Sequence, residues 1–138
     1  GKNQCSIDAI KILAKYRINK KNIFILPNST DNSQDTWQPS LKKYALKNKF
    51  KIVKLSELYE IKDLIFFSLE YEKIINVNKF KSKRLFNYHF SLLPKYRGCH
   101  TNFLQIFNGE KYTGVTLHRI NKGIDSGNII DQKNLKLS

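Results

Sequence analysis

Short apolar runs alternate with stretches of helical spacing along the front of the chain, and this alternation limits the fold more than any other feature. The apolar runs are residues 22–26, 50–55 and 63–67, and each has the length of a strand. The third run predicts a strand that is buried on both faces. Because strands separated by helices form α/β folds, we expect a mostly parallel sheet.

Two helices are predicted in the same half of the chain. Apolar residues recur at helical spacing over residues 7–14, and Ser6 is expected to cap that helix. Pro39 or Ser40 is expected to open the second helix. Since a sheet of this class normally has a strand before its first helix, we expect the sequence to start just after that strand, at Gly1.

The last 41 residues hold five of the six glycines, so the chain changes character there. Residues 102–107 predict a helix that ends at Asn108 and Gly109. Residues 113–120 predict a strand, and residues 128–135 predict a strand that returns after a tight loop.

Composition excludes some classes of protein. With 41% hydrophobic and 12% aromatic residues the chain is typical of globular rather than disordered proteins. The two cysteines, Cys5 and Cys99, form neither a disulfide framework nor a metal-ligand spacing. No apolar run reaches membrane-spanning length, and we expect no secretory signal. These features favour a reducing cytoplasm.

The formal net charge is +14, which suggests anionic partners. Most of this charge is lysine spread along the whole chain, and basic residues rarely alternate with aromatic residues. A lysine-rich composition explains this distribution as well as a binding patch does. The charge alone therefore does not select a nucleic-acid partner.

Residues 86–98 are the most informative local stretch. A predicted strand ends in Asn87 and His89, and a loop with Pro94 and Gly98 follows. Side chains alternate along a strand, so Asn87 and His89 are expected on the same side. An amide beside an imidazole can hold a carbonyl oxygen and move a proton. The alternative is that both residues only cap a turn.

Asp125 lies in a glycine-bounded loop over residues 121–127. Ligands of open α/β sheets bind beyond the carboxyl ends of the strands, where this loop could bring Asp125 to His89. The alternative is an aspartate that bonds only to its own turn. We expect His100 and His118 to be structural.

Five segments resemble the 10-formyltetrahydrofolate-dependent formyltransferases, in order and with family-like spacing across residues 86–132. They are residues 87–89, 91–98, 108–110, 113–118 and 123–130. The family includes glycinamide ribonucleotide formyltransferase, methionyl-tRNA formyltransferase and the nucleotide-sugar N-formyltransferases. The resemblance implies an α/β, Rossmann-like fold with a formyl-transfer activity.

The resemblance implies Asn87, His89 and Asp125 as the catalytic residues, 10-formyltetrahydrofolate as cosubstrate, and no metal. In such a reaction an amine attacks the formyl carbon, and Asn87 and protonated His89 can donate to the developing oxyanion. Asp125 can orient His89 or accept the amine proton through water. We favour His89 as the base, assisted by Asp125.

The resemblance also implies a cofactor pocket, because the family places the pterin against the backbone of the loop that matches residues 67–71. Six residues are assigned to this pocket. They are Phe67, Ser68, Leu69, Leu92, Leu93 and Pro94.

Residues 1–6, 37–40 and 67–75 look most like enzymes that formylate dTDP-linked 4-amino-4,6-dideoxyhexoses. The implied product would serve O-antigen or lipopolysaccharide biosynthesis. One alternative is methionyl-tRNA formylation, which the net charge favours and the glycine-free segment 28–38 disfavours. Others are hydrolysis of the formyl cofactor and a basic nucleic-acid-binding α/β module.

Four residues are assigned to the nucleotide-sugar substrate. Lys2 and Asn3 lie where a pyrophosphate could meet a helix N-terminus. Trp37 could stack on a base or sugar, or could belong to the core. Arg97 could bind a substrate phosphate or anchor its own loop.

We expect residues 1–138 to form one partial formyltransferase catalytic domain that is truncated at both ends. A nucleotide-linked aminosugar is the expected partner, and neither a membrane nor nucleic acid is expected. A homodimer could form through structure beyond Ser138.

Overall fold

The computed structural model describes residues 1–137, which fall into two compact units. The first unit comprises residues 1–60 and 69–73. The second comprises residues 61–68 and the chain from residue 74 onward. Each unit contains both helix and strand, as the α/β prediction requires.

The first unit packs helices against a pair of short parallel strands. Its elements are α1 (Asn3–Lys15), β1 (Phe24–Ile25), α2 (Leu41–Lys47), β2 (Lys51–Ile52) and α3 (Leu55–Leu58). In the strand pair, Phe24 lies opposite Lys51 and Ile25 opposite Ile52. One cluster of buried apolar residues comes from α1, α2 and the chain around β1. They are Ile7, Ile10, Ile23, Ile25, Leu41 and Ala45.

Helix α1 begins earlier than its sequence pattern predicts. Lys2 is the N-cap and makes no side-chain capping bond, whereas Ser6 lies inside the helix. Ser6 is 4% exposed, and its hydroxyl has no hydrogen-bond partner among the described residues. Gln4 Nε2 donates to Asp8 Oδ1 at 2.7 Å, an i,i+4 contact that supports the additional turn. The prediction of Ser6 as N-cap is therefore wrong.

Two of the predicted strands are shorter than their apolar runs. The first is limited because the Asn19 side chain accepts from the Lys21 N–H at 2.9 Å and holds a 3₁₀ turn just before β1. The second is limited because the Glu57 carboxylate accepts from the Lys54 N–H at 2.6 Å and starts α3. Local side-chain bonds thus make the first strand start late and the second strand end early.

The second unit is built on a sheet with the strand order β3-β4-β5-β6. Its elements are β3 (Ile65–Leu69), β4 (Arg84–His89), α4 (Thr101–Phe107), β5 (Tyr112–Arg119) and β6 (Ile129–Lys136). Leu69, the last residue of β3, already belongs to the first unit. Strand β5 is antiparallel to both β4 and β6. Strand β6 returns as predicted, because the loop over residues 120–128 is too short for a parallel crossover.

Strand β3 is not buried on both faces, contrary to its sequence pattern. Ile65 and Phe67 are 52% and 44% exposed, whereas Phe66 and Ser68 are 6% and 8% exposed. The exposed and buried residues alternate along β3, so one face of the strand is covered and the other is open. The Phe67 ring on that open face stacks on the Phe86 ring with centroids 5.4 Å apart.

The helices of both units are short, and two of them confirm their predicted ends. Ser40 caps α2, with its Oγ accepting from the Lys43 N–H at 2.9 Å. Helix α4 ends at the C-cap Asn108, and Gly109 follows with φ of +65°, a conformation that glycine adopts without a Cβ clash. Within residues 1–137, every helix is too short or too polar to cross a lipid bilayer.

Candidate active site

The second unit brings together polar side chains from two neighbouring strands and one loop. Asn87 and His89 lie two positions apart on β4 and share one side of it, as predicted. In the antiparallel register Asn87 lies opposite His118 of β5, and His89 lies opposite Thr116. The loop between β5 and β6 then carries Asp125 to this cluster.

Asp125 is the centre of the cluster. Its Oδ2 accepts from the Gly98 N–H at 2.8 Å and lies 3.4 Å from His89 Nδ1. Its Oδ1 accepts from Asn87 Nδ2 at 3.3 Å and lies 3.4 Å from His118 Nε2. The Asp125 side chain is only 13% exposed. Each carboxylate oxygen therefore serves one imidazole and one N–H donor.

These contacts shift the pKa of the Asp125 carboxyl. Burial alone raises this pKa, but the hydrogen bonds from His118 and the Gly98 N–H oppose burial, as do the charges of His89 and His118. The net result is a pKa below the usual 3.8. Asp125 is accordingly a carboxylate at neutral pH.

His89 faces an acceptor with each of its ring nitrogens. Its Nε2–H donates to the Tyr96 carbonyl oxygen at 2.6 Å, and the Ser91 hydroxyl donates to the same oxygen at 3.1 Å. A carbonyl oxygen only accepts, so this bond places a proton on Nε2. Nδ1 then faces the Asp125 carboxylate, to which a second proton would make a charge-assisted hydrogen bond.

His118 is the member of the cluster that the sequence interpretation missed. It is 2% exposed, and its Nε2 lies 3.2 Å from Asn87 Nδ2 as well as near Asp125. Burial lowers the pKa of His118, but bonds to Asp125 and the Arg119 carbonyl, with the Asp125 charge, raise it above 6.5 overall. The sequence places His118 on the Thr116 side of its strand, but only the register between β4 and β5 sets it against Asn87.

The residues assigned to the cofactor pocket lie in two groups. Three of them occupy the end of β3, where Phe67 is partly exposed and Ser68 is buried. The others are Leu92, Leu93 and Pro94 in the turn after β4. Leu93 is 5% exposed and its N–H donates to Thr116 Oγ1 at 3.2 Å, which ties this turn to β5.

Gly114 on β5 makes room for the same turn. A Cβ at this position would lie 2.4 Å from Leu92 Cδ2 and 2.5 Å from the Lys133 carbonyl oxygen. Neither distance is compatible with a side chain, so Leu92 packs directly on the backbone of β5. The position of the turn after β4 thus depends on a glycine in the neighbouring strand.

The first unit contains a cavity of about 140 Å³ that includes two of the assigned substrate residues, Lys2 and Asn3. The rest of its lining comes from the segment 28–40 and is mostly amide and hydroxyl side chains. Trp37 does not line the cavity and is 89% exposed, so its interpretation as a core residue is wrong. Arg97, in the second unit, is exposed.

One carboxylate organises the segment that lines this cavity. Asp31 Oδ1 accepts from the Ser33 N–H at 3.0 Å and from the Ser40 hydroxyl at 2.5 Å. Its Oδ2 accepts from the Lys42 N–H at 2.8 Å. Burial raises the pKa of Asp31, but these bonds and the Lys42 charge outweigh burial and lower it. Asp31 is thus an ionised carboxylate whose hydrogen bonds hold the loop against the start of α2.

A family model described as formyl transferase matches residues 19–138. The match covers most of the chain and the whole Asn87–His89–Asp125 cluster. The chain belongs to the formyl transferase family. The family resemblance of residues 86–132 and the Rossmann-like formyltransferase fold predicted from it are therefore confirmed.

Solved formyltransferases match the chain along nearly its whole length. WlaRD, a sugar 3N-formyl transferase solved in the presence of dTDP and 5-N-formyl-THF, is 49% identical with a TM-score of 0.96. The N-formyltransferase from Helicobacter canadensis, in complex with folinic acid and dTDP-3-aminofucose, is 46% identical with a TM-score of 0.96. Each match covers 99% of this chain, and 50% and 51% of the respective solved chains.

Curated relatives match stretches that range from about two fifths of this chain to its whole length. The bifunctional polymyxin resistance protein ArnA of Wigglesworthia glossinidia brevipalpis is 40% identical over 116 residues, which are 76% of this chain and 18% of ArnA. Several methionyl-tRNA formyltransferases match as well. The chain thus spans about half the length of the two solved sugar formyltransferases and a smaller part of ArnA.

Proposed function

We propose that this chain carries the reaction site of an N-formyltransferase that moves a formyl group from 10-formyltetrahydrofolate to the amine of a dTDP-linked aminodeoxyhexose. The observation that carries the proposal is the buried cluster of Asn87, His89 and Asp125, in a chain of this family. The cluster contains amide and imidazole donors beside a carboxylate, which is the donor set that amine acylation needs.

The bound folate would supply the formyl carbon that the amine attacks. His89 takes the proton that the attacking nitrogen loses, and Asp125 at 3.4 Å from Nδ1 stabilises the resulting imidazolium. Asn87 donates an N–H to the formyl oxygen as negative charge grows there, an interaction of the kind worth about 3 kcal/mol in other acyl transfers. The new carbon–nitrogen bond would form as the bond to folate N10 breaks, and the proton held by His89 would pass to N10, which returns His89 to its neutral form.

The same geometry sets a condition on Asn87. Its Nδ2 donates to Asp125 Oδ1 and lies 3.2 Å from His118 Nε2, which can accept a second N–H when it carries no proton. An amide nitrogen has only two N–H groups, so one of these contacts must be given up before Asn87 can bind the formyl oxygen.

The folate would be held by the six residues of the predicted pocket. Support comes from the partly exposed Phe67 ring, which is already supported by Phe86, and from the turn that Leu93 ties to Thr116. An aromatic face that is open on one side is suited to a flat heteroaromatic ring.

The nucleotide sugar would be bound through Lys2, Asn3, Trp37 and Arg97. Lys2 and Asn3 line the cavity of the first unit, and Lys2 supplies the positive charge there that a pyrophosphate requires. The exposed Trp37 ring is available to stack on a base or sugar. The presence of dTDP with WlaRD and of dTDP-3-aminofucose with the Helicobacter canadensis enzyme supports a dTDP-linked acceptor.

The amine position on the sugar is a separate question. The resemblance of the sequence implies a 4-amino sugar, whereas both solved relatives are associated with position 3. An assay of the purified protein with 10-formyltetrahydrofolate should therefore compare dTDP-linked 3-amino and 4-amino-dideoxyhexoses, methionyl-tRNA, and no acceptor. We expect tetrahydrofolate release that depends on one of the two sugars.

The matched control for this assay is Asp125→Asn, because asparagine keeps the shape of the side chain and tolerates the same backbone conformation. We expect its turnover to be at least about 10²-fold lower, since the carboxylate that stabilises the imidazolium is lost. Transfer only to methionyl-tRNA, or equal folate release without any amine, would contradict the sugar acceptor. Wild-type turnover in Asp125→Asn would contradict the assigned site.

Four broader predictions accompany this function. A cytoplasmic location is supported by the free thiols of Cys5 and Cys99, which suit a reducing compartment. A role in O-antigen or lipopolysaccharide sugar biosynthesis follows from the class of acceptor. Assembly into a homodimer and the absence of a nucleic-acid partner also remain predictions.

A further inference from the structure

His118 is a buried titratable residue to which the proposed mechanism gives no task. It lies on β5, and its Nδ1–H donates to the carbonyl oxygen of Arg119 at 2.9 Å. Because a carbonyl oxygen only accepts, this bond keeps a proton on Nδ1. Nε2 is therefore the ring atom whose protonation can change.

Nε2 faces two groups that compete for it. Asn87 Nδ2 lies 3.2 Å away and Asp125 Oδ1 lies 3.4 Å away, and these two atoms are 3.3 Å from each other. When Nε2 has no proton, it accepts from the Asn87 amide. When Nε2 has a proton, it donates to the Asp125 carboxylate and can no longer accept from Asn87.

We infer that His118 is a positioning residue whose Nε2 sets the orientation of the Asn87 amide and holds Asp125 within reach of His89. The inference rests on the proposed function, because that function requires Asn87 to turn an N–H toward a formyl oxygen. Donation from His118 to Asp125 releases the Asn87 amide from the imidazole. The released N–H is then available to the reacting group.

The surroundings of His118 leave Asp125 as its ionic partner. His89 is the other titratable neighbour, with its ring edge-on and the two centroids 6.5 Å apart. The Arg119 guanidinium is directed elsewhere, over the Phe86 ring at 5.4 Å from its centroid. Among the described contacts, a proton on Nε2 is therefore stabilised by Asp125 alone.

Two amide substitutions that differ in reach separate the roles of the two nitrogens of this imidazole. In His118→Gln the side-chain amide reaches the place of Nε2, and in His118→Asn it reaches only the place of Nδ1. We expect kcat to fall about 10²-fold in His118→Asn, with KM for both substrates within about twofold of wild type, because the reacting groups are misplaced but binding is not. His118→Gln should retain most of the wild-type kcat.

A second measurement does not depend on turnover. The side-chain NH₂ of Asn87, followed by ¹H–¹⁵N NMR in the purified protein without substrates, should exchange with solvent faster in His118→Asn than in wild type or His118→Gln. This readout reports directly on the hydrogen bond between the amide and position 118.

Equal kcat values in the two variants would overturn the inference, as would equal Asn87 exchange rates. A loss of kcat that follows a lower melting temperature in both variants would also overturn it, because that result indicates a purely structural histidine. A wild-type protein that transfers no formyl group would defeat the proposed function, whereas the exchange comparison would still decide whether His118 positions Asn87.

Discussion

Asp125 combines an unusual backbone conformation with contacts from three side chains. Its φ is +45°, in the left-handed region that aspartate and asparagine occupy more readily than most residues. The Gly98 N–H fixes one carboxylate oxygen, and Asn87 and His118 lie at the other. The loop thus presents the carboxylate in one orientation, which is what a group that stabilises an imidazolium requires.

The protonation of His118 links this cluster to the stability of the fold. Because its pKa in the folded protein lies above the usual 6.5, the stabilisation is fully present below about pH 6.5 and is lost as pH rises through the folded pKa. The stabilisation of the fold by Asp125 has the opposite pH dependence. Because its pKa is lowered, this stabilisation is present at neutral pH and is lost only as pH falls below 3.8. His118 and Asp125 together therefore stabilise the fold most between about pH 3.8 and pH 6.5.

This reasoning predicts the pH dependence of a substitution. Urea unfolding of wild type and His118→Gln should show a larger loss of unfolding free energy at pH 5.5 than at pH 8.5, because glutamine cannot take up the proton. A difference between the two proteins that is constant with pH, or that grows toward pH 8.5, would contradict a raised pKa for His118.

At the scale of elements, the segment 28–40 shows how a loop without regular structure is fixed. Asp31 joins its start to its end, since it accepts from Ser33 and from both Ser40 and Lys42 at the entrance of α2. Ser40 in turn caps α2 through Lys43. The loop, the helix start and the lining of the cavity therefore depend on one carboxylate.

We predict that Asp31→Asn weakens substrate binding more than it slows the chemistry. An amide can replace only part of the acceptor capacity of the carboxylate, and a lost charge-assisted hydrogen bond costs about 1.5–3 kcal/mol. KM for the nucleotide sugar should rise about tenfold or more, with kcat within about threefold of wild type. The matched control is Asp8→Asn on α1, whose carboxylate bonds to Gln4 and Lys11 and lies outside the cavity lining.

A steady-state comparison of the two variants tests this prediction. A KM that is unchanged in Asp31→Asn, or that rises equally in Asp8→Asn, would show that the Asp31 bonds do not shape the cavity. A fall in kcat alone would place Asp31 in a different role.

At the scale of the whole molecule, the net charge of +14 is the property that could be mistaken for a nucleic-acid function. Both compact units contain many of the lysines, and the cavity of the first unit includes Lys2 as its single lysine within a mostly neutral polar lining. Charge of this kind acts at long range and is screened by salt. It is expected to attract polyanions without selecting among them.

This distribution predicts a clear salt dependence. Fluorescence anisotropy with a labelled RNA should show binding at 50 mM salt that falls at least about tenfold in affinity at 200 mM, because the contacts are to phosphates only. Binding of dTDP, measured by calorimetry, should change less over the same range. Tight RNA binding at 200 mM salt without affinity for dTDP or folate would instead favour the nucleic-acid-binding alternative.

The sequence by itself determined features that depend on neighbouring residues. Periodicity identified the strands and helices, Ser40 and Gly109 marked helix ends, and the alternation along β4 placed Asn87 and His89 on one side. The family resemblance supplied Asp125. These signals work because a turn or a strand residue is constrained mainly by residues within a few positions of it.

Only the tertiary structure decided which distant residues meet. The register of β4 against β5 sets His118 opposite Asn87, and the fold of segment 28–40 brings Asp31 to Lys42. The same packing placed Ser6 inside α1, against its prediction as N-cap, and exposed Trp37, which excludes only the alternative that Trp37 belongs to the core. Strand register and loop closure are properties of the whole packed chain, because a shift by one residue would move every side chain to the other face while leaving the local pattern intact.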